Sequence, residues 1–405
     1  IVINTCCFIH DAKEESVNTI LEMAEYKTSG SCKVLIVTGC MAQRYKEEII
    51  QEIPEVDAVL GTTSYGDIVK ALNEAQAGNV FQEFRDINDL PEDSGRRVIT
   101  TGGHFGYLKI AEGCDKHCTY CIIPSLRGKF RSVPEERLLK QAEYMASQGV
   151  KELILVAQET TVYGTDLYGK KTLHILLKKL CQIKGIRWIR ILYCYPEEIY
   201  DELIQVMKEE KKICHYLDLP IQHASDRILR RMGRRTSKAQ LVDIITKLRR
   251  EIPDIVLRTS LITGFPGETE EDHQELMEFV DEMEFDRLGV FTYSPEEGTP
   301  AETMEGQVPE ELKEERRDEI MELQQEISLE KGNDRIGQEL LVMIEGKVSG
   351  ESAYIGRTYG DAPKVDGYMF VQTGEMLVTG DFAKVKVTGA LEYDLIGELA
   401  DEYAE

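Results

Sequence analysis

Three cysteines in the stretch EGCDKHCTYCIIPSLRG (residues 112–128) have a spacing that could hold an iron-sulfur cluster. Cys114, Cys118 and Cys121 follow the pattern C-x3-C-x2-C. So short a loop brings three thiolates to one side of a four-iron cubane, where each can bind a different iron. The remaining iron can then take a small bidentate molecule that offers an amine and a carboxylate.

These thiols could also serve a zinc site or simply pack in a core. A structural zinc ion normally takes four protein ligands, and only His117 lies close by in the sequence to complete the set. Unpaired core thiols need no ligand at all. Five further cysteines are left as core or near-surface thiols, namely Cys7, Cys32, Cys181, Cys194 and Cys214.

Two more cysteines end strand-like runs in the first part of the chain. Cys6 closes IVINTC and Cys40 closes KVLIVTGC, and amphipathic helical patterns follow both runs. This alternation predicts an α/β layer with parallel strands over residues 1–95. Ligands bind beyond the carboxyl ends of such strands, so we expect the two thiols to face one shared site.

A second α/β region is predicted after a polar linker at residues 84–103. Its strand-like runs are GYLKIAEG, ELILVAQET, WIRILYCYP, HYLDLPIQ, IVLRTSLITGF and RLGVFTYSP. Six parallel βα units are too few for a closed eight-stranded barrel. They predict a partial, splayed barrel over residues 100–333, with the triple-cysteine loop after its first strand and the chemistry at the carboxyl ends.

The last part of the chain changes in pattern. Residues 308–333 predict a long helix whose charges form a solvated face. Residues 335–402 show short runs and Gly-rich turns, which predict a small antiparallel β-barrel of the oligonucleotide-binding type. From residue 335 onward there are 6 Lys and Arg against 13 Asp and Glu, the opposite of a nucleic-acid module.

The composition limits the partners and the cellular environment that we expect for this protein. The 405 residues are 42% hydrophobic, carry a formal charge of -25 and contain no apolar run long enough to span a membrane. An acidic chain repels phosphate backbones and attracts basic partners. Ten cysteines outside a small secreted framework indicate metal or redox use in the cytoplasm. Because the chain opens on IVINTC without Met, we expect a preceding segment to be missing.

The cysteine loop and its barrel resemble the radical S-adenosylmethionine (SAM) enzymes. In that family the C-x3-C-x2-C loop holds a 4Fe-4S cluster, and the methionine end of SAM fills the open iron. The resemblance implies that Cys114, Cys118 and Cys121 are catalytic, since reductive cleavage of SAM there yields a 5'-deoxyadenosyl radical.

The resemblance also implies contacts to SAM. Gln158 and Glu159 stand where the family holds the amino group of SAM. The other implied contacts have simpler alternatives, since each residue could equally be structural: Gly264 and Gly267 for adenine, Tyr120 stacking near it, and His223 for the ribose.

The whole chain is similar to the methylthiotransferases, which join an N-terminal α/β methylthiotransferase domain, a partial (βα)6 radical-SAM barrel and a C-terminal barrel called TRAM. NTCCFI and VTGCMAQRY match two of the three cysteine motifs of the N-terminal domain. The resemblance implies a second 4Fe-4S cluster at Cys6 and Cys40. Its first cysteine is absent here, and Cys7 and Cys32 are weak substitutes.

Two subfamilies compete, one acting on adenosine in transfer RNA and one on an aspartate of small-subunit ribosomal protein S12. FGYLKIAEGCDKHCTYCIIPSLRGKFRS, DLPIQHAS and YIGRTYGDAPKVDG resemble the second, and the acidic charge agrees with it. The implied enzyme replaces an aspartate β-hydrogen with a methylthio group, using an external electron donor and a sulfur donor. We expect a monomer by default. A non-catalytic iron-sulfur electron carrier and a structural protein of the ribosome are the rivals of other classes.

Overall fold

The computed structural model describes residues 1–91 and 97–400. Its contacts divide the chain into two compact units. The N-terminal unit comprises Ile1–Arg97, Glu112–Val133 and Ser294–Met304. The C-terminal unit comprises Val98–Ala111, Pro134–Tyr293 and Glu305–Glu405. The predicted domain limits at residues 95, 100, 333, 335 and 402 stay predictions, and residues 92–96 of the predicted linker and residues 401 and 402 lie outside the described part.

The N-terminal unit is built on a four-stranded parallel sheet in the order β1-β2-β3-β4, as the alternating pattern predicts. Its strands are β1 (Val2–Thr5), β2 (Ile36–Gly39), β3 (Ala58–Leu60) and β4 (Phe81–Glu83). The helices between them are α1 (His10–Thr28), α2 (Cys40–Glu52, broken at Lys46) and α3 (Ile68–Gln76). The middle strands β2 and β3 are fully buried, which explains their continuous apolar runs.

The C-terminal unit contains an open, wholly parallel sheet of six strands in the order β12-β11-β10-β9-β8-β5. The strands are β5 (Phe105–Lys109), β8 (Glu152–Val156), β9 (Trp188–Ile191), β10 (Ile213–Asp218), β11 (Val256–Thr263) and β12 (Arg287–Thr292). Short elements around the cysteine loop are β6 (Ala111–Glu112), α4 (Ile123–Arg127) and β7 (Arg131–Ser132), and all of them except Ala111 belong to the N-terminal unit. The six-unit partial barrel predicted from the strand spacing is therefore confirmed.

Helices connect the strands of this barrel. They are α5 (Glu135–Ser147), α6 (Thr165–Tyr168), α7 (Leu173–Cys181), α8 (Asp201–Glu209), α9 (Asp226–Arg231), α10 (Lys238–Glu251) and α11 (Glu270–Met283). Short 3-10 helices span Tyr65–Asp67 and Pro300–Thr303 in the N-terminal unit and Pro196–Glu198 in the C-terminal unit. Among the described residues, no helix combines the length and apolarity needed to cross a membrane.

The long charged helix α12 (Glu310–Asn333) exists as predicted, but its charges are not all solvated. Lys313 and Arg316 are buried, which corrects the predicted solvated face. Lys313 Nζ donates to Tyr293 O at 2.9 Å, and Arg316 Nη1 lies 2.9 Å from Glu268 Oε1. The two cations are buried because partners distant in the sequence satisfy them.

The chain ends in a closed five-stranded barrel in the order β13-β14-β15-β17-β16. Its strands are β13 (Glu339–Lys347), β14 (Ala353–Arg357), β15 (Met369–Gln372), β16 (Phe382–Ala390) and β17 (Leu395–Leu399). The small barrel is confirmed, with one departure from an antiparallel arrangement: β15 and β17 run parallel. Directions cannot alternate all the way round a ring with an odd number of strands, so one parallel pair is required.

The small barrel packs on the amino-terminal end of the six-stranded sheet, within the C-terminal unit. Trp188, the first residue of β9, meets Phe382 of β16 edge to face, with ring centroids 4.8 Å apart. Glu152, the first residue of β8, is fully buried between Arg190 and Arg357. This contact lies at the opposite end of the strands from the predicted chemistry.

Candidate active site

Hydrogen bonds donated by two backbone N–H groups close the base of the triple-cysteine loop within the N-terminal unit. Cys114 N donates to Gly128 O at 3.1 Å, and Phe130 N donates to the Asp115 carboxylate at 3.0 Å. Gly113 has a φ of 78°, and a Cβ there would lie 2.2 Å from Lys129 O. Only glycine fits this close approach, so the loop geometry depends on it.

The three thiols of this loop are largely shielded from solvent. Cys114 and Cys118 are buried and Cys121 is half-buried. The pKa of the Cys121 thiol is raised to about 12, chiefly by burial and further by Cys118 and Cys114, which together outweigh the lowering effect of the Ile123 backbone N–H. Three thiolates in such a place need a positively charged partner, and the irons of a cluster provide one.

The donor set fits the predicted cluster. Among residues 1–91 and 97–400, no three His, Cys, Asp or Glu side chains are grouped as ligands of a single metal ion. A cubane makes a different demand, because each thiolate binds its own iron. Three soft thiolates on one short loop therefore suit iron and sulfur, while His117, the fourth ligand that zinc would require, is exposed to solvent.

Cys6 and Cys40 directly follow the neighbouring parallel strands β1 and β2, at the carboxyl edge of the four-stranded sheet. That their thiols face one shared site stays a prediction. Their preceding residues, Thr5 and Gly39, are partners in the β1–β2 register. Cys40 is buried, whereas Cys6 is exposed. Cys7 is fully buried, and burial raises the pKa of its thiol to about 12, with a further contribution from Cys40.

Gln158 and Glu159 lie two and three residues after the end of β8, and their contact with SAM stays a prediction. Gln158 is half-buried and Glu159 is buried. Glu159 Oε1 accepts from the Thr161 backbone N–H at 2.9 Å, so one carboxylate oxygen shapes its own loop. Tyr120, in the N-terminal unit, is half-buried.

Gly264 and Gly267 form a turn after β11 that backbone geometry and packing both require. Their φ values are 69° and 82°, in the left-handed region. A Cβ at Gly264 would lie 2.1 Å from Lys313 Cγ, and one at Gly267 would lie 3.0 Å from Arg231 Nε. Backbone conformation and packing are therefore sufficient reasons for both glycines, and an adenine contact stays a prediction.

His223 has the surroundings of a structural histidine. It is fully buried, and its Nδ1 accepts from Ala224 N at 3.0 Å and Ser225 N at 2.9 Å. The proton must then be on Nε2, which points at Glu268 Oε2 at 3.5 Å. This arrangement favours the structural alternative, and the ribose contact stays a prediction.

The predicted site residues fall into two groups, one in each unit. The N-terminal unit holds the triple-cysteine loop together with Cys6 and Cys40, and the C-terminal unit holds the other predicted SAM contacts apart from Tyr120. Sequence reasoning missed Arg316, beside Glu268, and Arg127, whose Nε donates to Cys40 Sγ at 3.2 Å. A signal for Arg316 exists, because it shares one α-helical face with Ile320.

Three family models match successive parts of the chain. The Uncharacterized protein family UPF0004 matches residues 1–61, the Radical SAM superfamily matches residues 108–280, and the TRAM domain matches residues 336–400. Together they follow the three-part order predicted from the sequence.

Curated relatives match almost the whole chain. A "Ribosomal protein uS12 methylthiotransferase RimO" of Lachnoclostridium phytofermentans is 65% identical over 98% of this chain and 90% of its own length. Proteins of the same name from Clostridium perfringens and Clostridium botulinum are 52% and 51% identical, over 99% and 100% of this chain and 90% and 91% of their own lengths.

Solved structures show the same fold at low sequence identity. The radical SAM methyltransferase TsrM of Kitasatospora setae has a TM-score of 0.56 at 12% identity, covering 94% of this chain and 69% of its own. The radical enzyme OxsB has a TM-score of 0.50 at 16% identity, covering 80% and 48%. With the relatives' identity over nearly the full length, this chain belongs to the RimO methylthiotransferase family of radical SAM enzymes.

Proposed function

We propose that this chain is a radical SAM methylthiotransferase that places a methylthio group on the β-carbon of an aspartate in ribosomal protein S12. The observation that carries the proposal is the presence of two cysteine sets in one compact unit, in a chain that is 65% identical to an enzyme of that name. One set suits radical formation and the other suits sulfur delivery.

The cofactors are two 4Fe-4S clusters and SAM. When bound, they supply a radical able to take hydrogen from an unactivated carbon, a carrier for sulfur and a methyl donor. Cys114, Cys118 and Cys121 would hold three irons of the first cluster. Cys6 and Cys40 hold two irons of the second, for which this sequence lacks the third ligand that the family pattern expects.

The residues of this chain position and shield these groups. The tight turn at Gly113 fixes the direction of the cysteine loop, and burial of Cys114 and Cys118 keeps water from the cluster. Gln158 and Glu159 orient the amino group of SAM. On the nucleoside side, the proposed contacts are Gly264 and Gly267 beside adenine, Tyr120 stacking near it, and His223 at the ribose.

The charge of the chain supports a protein substrate. The formal charge is -25, and the small C-terminal barrel is itself acidic. An acidic surface attracts a basic ribosomal protein, whereas each phosphate contact with RNA needs a cation on the protein. A methylthio transfer to adenosine in transfer RNA is the competing function, and it lacks this electrostatic support.

Two co-reactants have to come from outside the chain. Reduction of the first cluster requires an external electron donor, and renewal of the transferred sulfur requires a sulfur donor. We propose that the enzyme meets both in the cytoplasm and acts as a monomer on S12.

The test is anaerobic reconstitution of the full-length gene product with iron, sulfide, a reductant and SAM. The S12 protein is then weighed by mass spectrometry before and after the reaction. We expect a mass gain equal to one methylthio group in place of hydrogen, localised to one aspartate. Deoxyadenosine release without a gain on S12 would refute this substrate, and the modified nucleosides of transfer RNA from a strain lacking the gene would then be measured.

The same material distinguishes the enzyme from a non-catalytic electron carrier. An electron carrier has no SAM site, so SAM would leave the absorption and EPR spectra of the first cluster unchanged. The enzyme predicts a spectral change on adding SAM, because the amine and carboxylate bind the open iron.

A further inference from the structure

The six-stranded sheet of the C-terminal unit has one covered face and one more open face. From Leu257 onward every second residue of β11 is buried, whereas Arg258, Ser260 and Ile262, which alternate with them, are half-buried. Successive side chains of a strand point to opposite faces, so these three share the more open face. In the pairing of β10 with β11, Arg258 is level with Asp218, the last residue of β10. Its guanidinium therefore lies on the more open face, near the carboxyl end of the neighbouring strand.

Arg258 is held by three contacts that leave one of its nitrogens available. Nη1 donates to Asp218 Oδ1 at 2.8 Å and to Ser260 Oγ at 3.2 Å, and Nε lies 3.4 Å from Asp366 Oδ1. In the part of the chain that the structure describes, the polar contacts of this side chain use Nη1 and Nε alone, and 16% of it is exposed. Since a guanidinium is a rigid planar fork, fixing one edge also aims Nη2.

Gly289 leaves open space beside Nη2. It pairs with Ser260 in the β11–β12 register, and a Cβ built on it would lie 3.7 Å from Arg258 Nη2 and 3.9 Å from Phe291 Cε2. Its φ is outside the left-handed region, so the backbone does not require glycine there. Phe291 is 53% exposed. The missing side chain therefore leaves room for a small group between a charged donor and an aromatic ring.

Tyr193 stands beside the Asp218–Arg258 pair in a conformation that is uncommon for a tyrosine. Its φ is 59°, in the left-handed region, and 50% of the residue is exposed. Tyr193 N donates to Asp218 Oδ2 at 3.2 Å, so the carboxylate that holds Arg258 also holds this backbone. Burial and then Asp218 raise the pKa of Tyr193, and Arg258 lowers it, because its ring lies close to the ion pair. Strained residues persist where the surrounding structure holds them, and they cluster at binding and catalytic sites.

We infer that Arg258 is a substrate-binding residue whose Nη2 donates to the carboxylate of the aspartate that the reaction modifies, in the space beside Gly289. The inference rests on the proposed function, which makes the substrate an aspartate. In that function the carboxylate of SAM binds the open iron, so the carboxylate that reaches Arg258 comes from the substrate. Hydrogen bonds between a guanidinium and a carboxylate are charge-assisted and directional.

This contact positions the reacting carbon. The carboxyl carbon of an aspartate side chain is bonded directly to the β-carbon, so a fixed carboxylate restricts where the β-hydrogens lie. The exposed rings of Tyr193 and Phe291 offer contact area to the residues beside the aspartate. Asp218 already offsets the charge of Arg258, so selectivity comes from the direction of the Nη2 N–H groups and not from net charge.

The test measures binding instead of turnover. The chain of 405 residues is reconstituted anaerobically with its first cluster and SAM, without reductant, so that no radical forms. Fluorescence anisotropy gives the dissociation constants of labelled S12 and of S12 with its target aspartate changed to asparagine. R258Q removes the donor, and G289V fills the space beside Nη2 while keeping the ion pair. G346V is the matched control, because it adds valine to a strand glycine of β13 with no atom near its Cβ position.

We expect R258Q and G289V each to weaken the binding of S12 about tenfold, the size of one hydrogen bond to a charged group. Both should affect the asparagine form much less, because a neutral amide is a weaker acceptor, and G346V should match the unchanged protein. General attraction between an acidic chain and a basic protein predicts the opposite sign for R258Q, which makes the chain more acidic. Urea unfolding followed by Trp188 fluorescence checks the fold of each variant, and G289V carries the test if R258Q does not fold.

Equal losses of affinity for the two forms of S12, or unchanged affinity in G289V, would overturn the inference while S12 remains the substrate. Failure of the unchanged protein to bind S12 would instead overturn the proposed substrate and the inference with it, and binding of transfer RNA in its place would support the competing function. The affinity of the unchanged protein for S12, measured first, distinguishes the two failures.

Discussion

The buried carboxylate of Glu152 offers the sharpest test of how the C-terminal unit is held together. Glu152 has no exposed surface and bridges Arg190 Nε at 2.8 Å and Arg357 Nη2 at 2.7 Å. Burial by itself raises the pKa of this carboxyl, but the two arginines outweigh burial and leave the pKa lowered. The E152Q variant keeps the shape and leaves two buried cations without their shared anion.

Removal of one partner from a buried ion pair costs about 3–5 kcal/mol of stability. With a urea dependence of ~3 kcal/mol per molar, the unfolding midpoint should fall by about 1–1.7 M. The chain has a single tryptophan, and Trp188 packs on Phe382 in the same contact between the sheet and the small barrel. Its fluorescence therefore reports the transition directly, and E339Q, on an exposed position of β13, is the control.

The pH dependence of stability follows from the direction in which the pKa of Glu152 is shifted. The folded pKa of Glu152 lies below its ordinary value of 4.5, so its stabilising effect is complete above pH 4.5 and is lost as the pH falls through the folded pKa. The difference between wild type and E152Q should persist down to pH 4.5 and narrow only below it. A midpoint for E152Q equal to that of E339Q at pH 7 would refute the reasoning.

Three further predictions follow from the site and its supports. C114A should abolish deoxyadenosine formation measured by chromatography, while C181A, a buried helix thiol, should retain it. G264A should lower the melting temperature and weaken SAM binding in equilibrium dialysis. A left-handed residue with a Cβ costs about 1–2 kcal/mol, and here the Cβ would also clash with Lys313. G66A should have neither effect, because no atom lies near the Cβ position of Gly66. The pKa of Asp272 is lowered from 3.8 to about 2, because its hydrogen bonds outweigh the effect of burial. Urea titrations of the wild type should therefore show a loss of about 2 kcal/mol in the free energy of unfolding as the pH falls through that range, and D272N should show no such loss.

Local features of this molecule could be predicted from its sequence because neighbouring residues determine them. The strand runs, the cysteine spacing and the positions of Cys6 and Cys40 at strand ends all depend on short stretches. An antiparallel barrel was expected at the end of the chain. Because a closed barrel of five strands must contain a parallel pair of strands, the pairing of β15 with β17 could also have been predicted from the strand count.

Long-range partnerships could not be predicted in this way. In the sequence alone, the charges of α12 indicate a solvated surface. In the folded chain, Tyr293 accepts a hydrogen bond from Lys313 and Glu268 pairs with Arg316, so both cations can be buried. Arg316 at least shares a helical face with Ile320, but Arg127 gives no signal, because nothing in PSLRG points to a cysteine 87 residues earlier. Both cases involve buried cations, whose environment depends on residues remote in the chain.

The composition of the N-terminal unit has a consequence for how the protein is made. Lys13 Nζ bonds Glu296 Oε2 at 2.7 Å, across 283 residues, and the unit includes Ser294–Met304. A chain emerging from the ribosome cannot complete this unit until about three quarters of its 405 residues have been synthesised. Contacts so distant in sequence form slowly. Iron delivered to the nascent chain would meet an unfinished fold, so cluster loading should follow translation of residue 304.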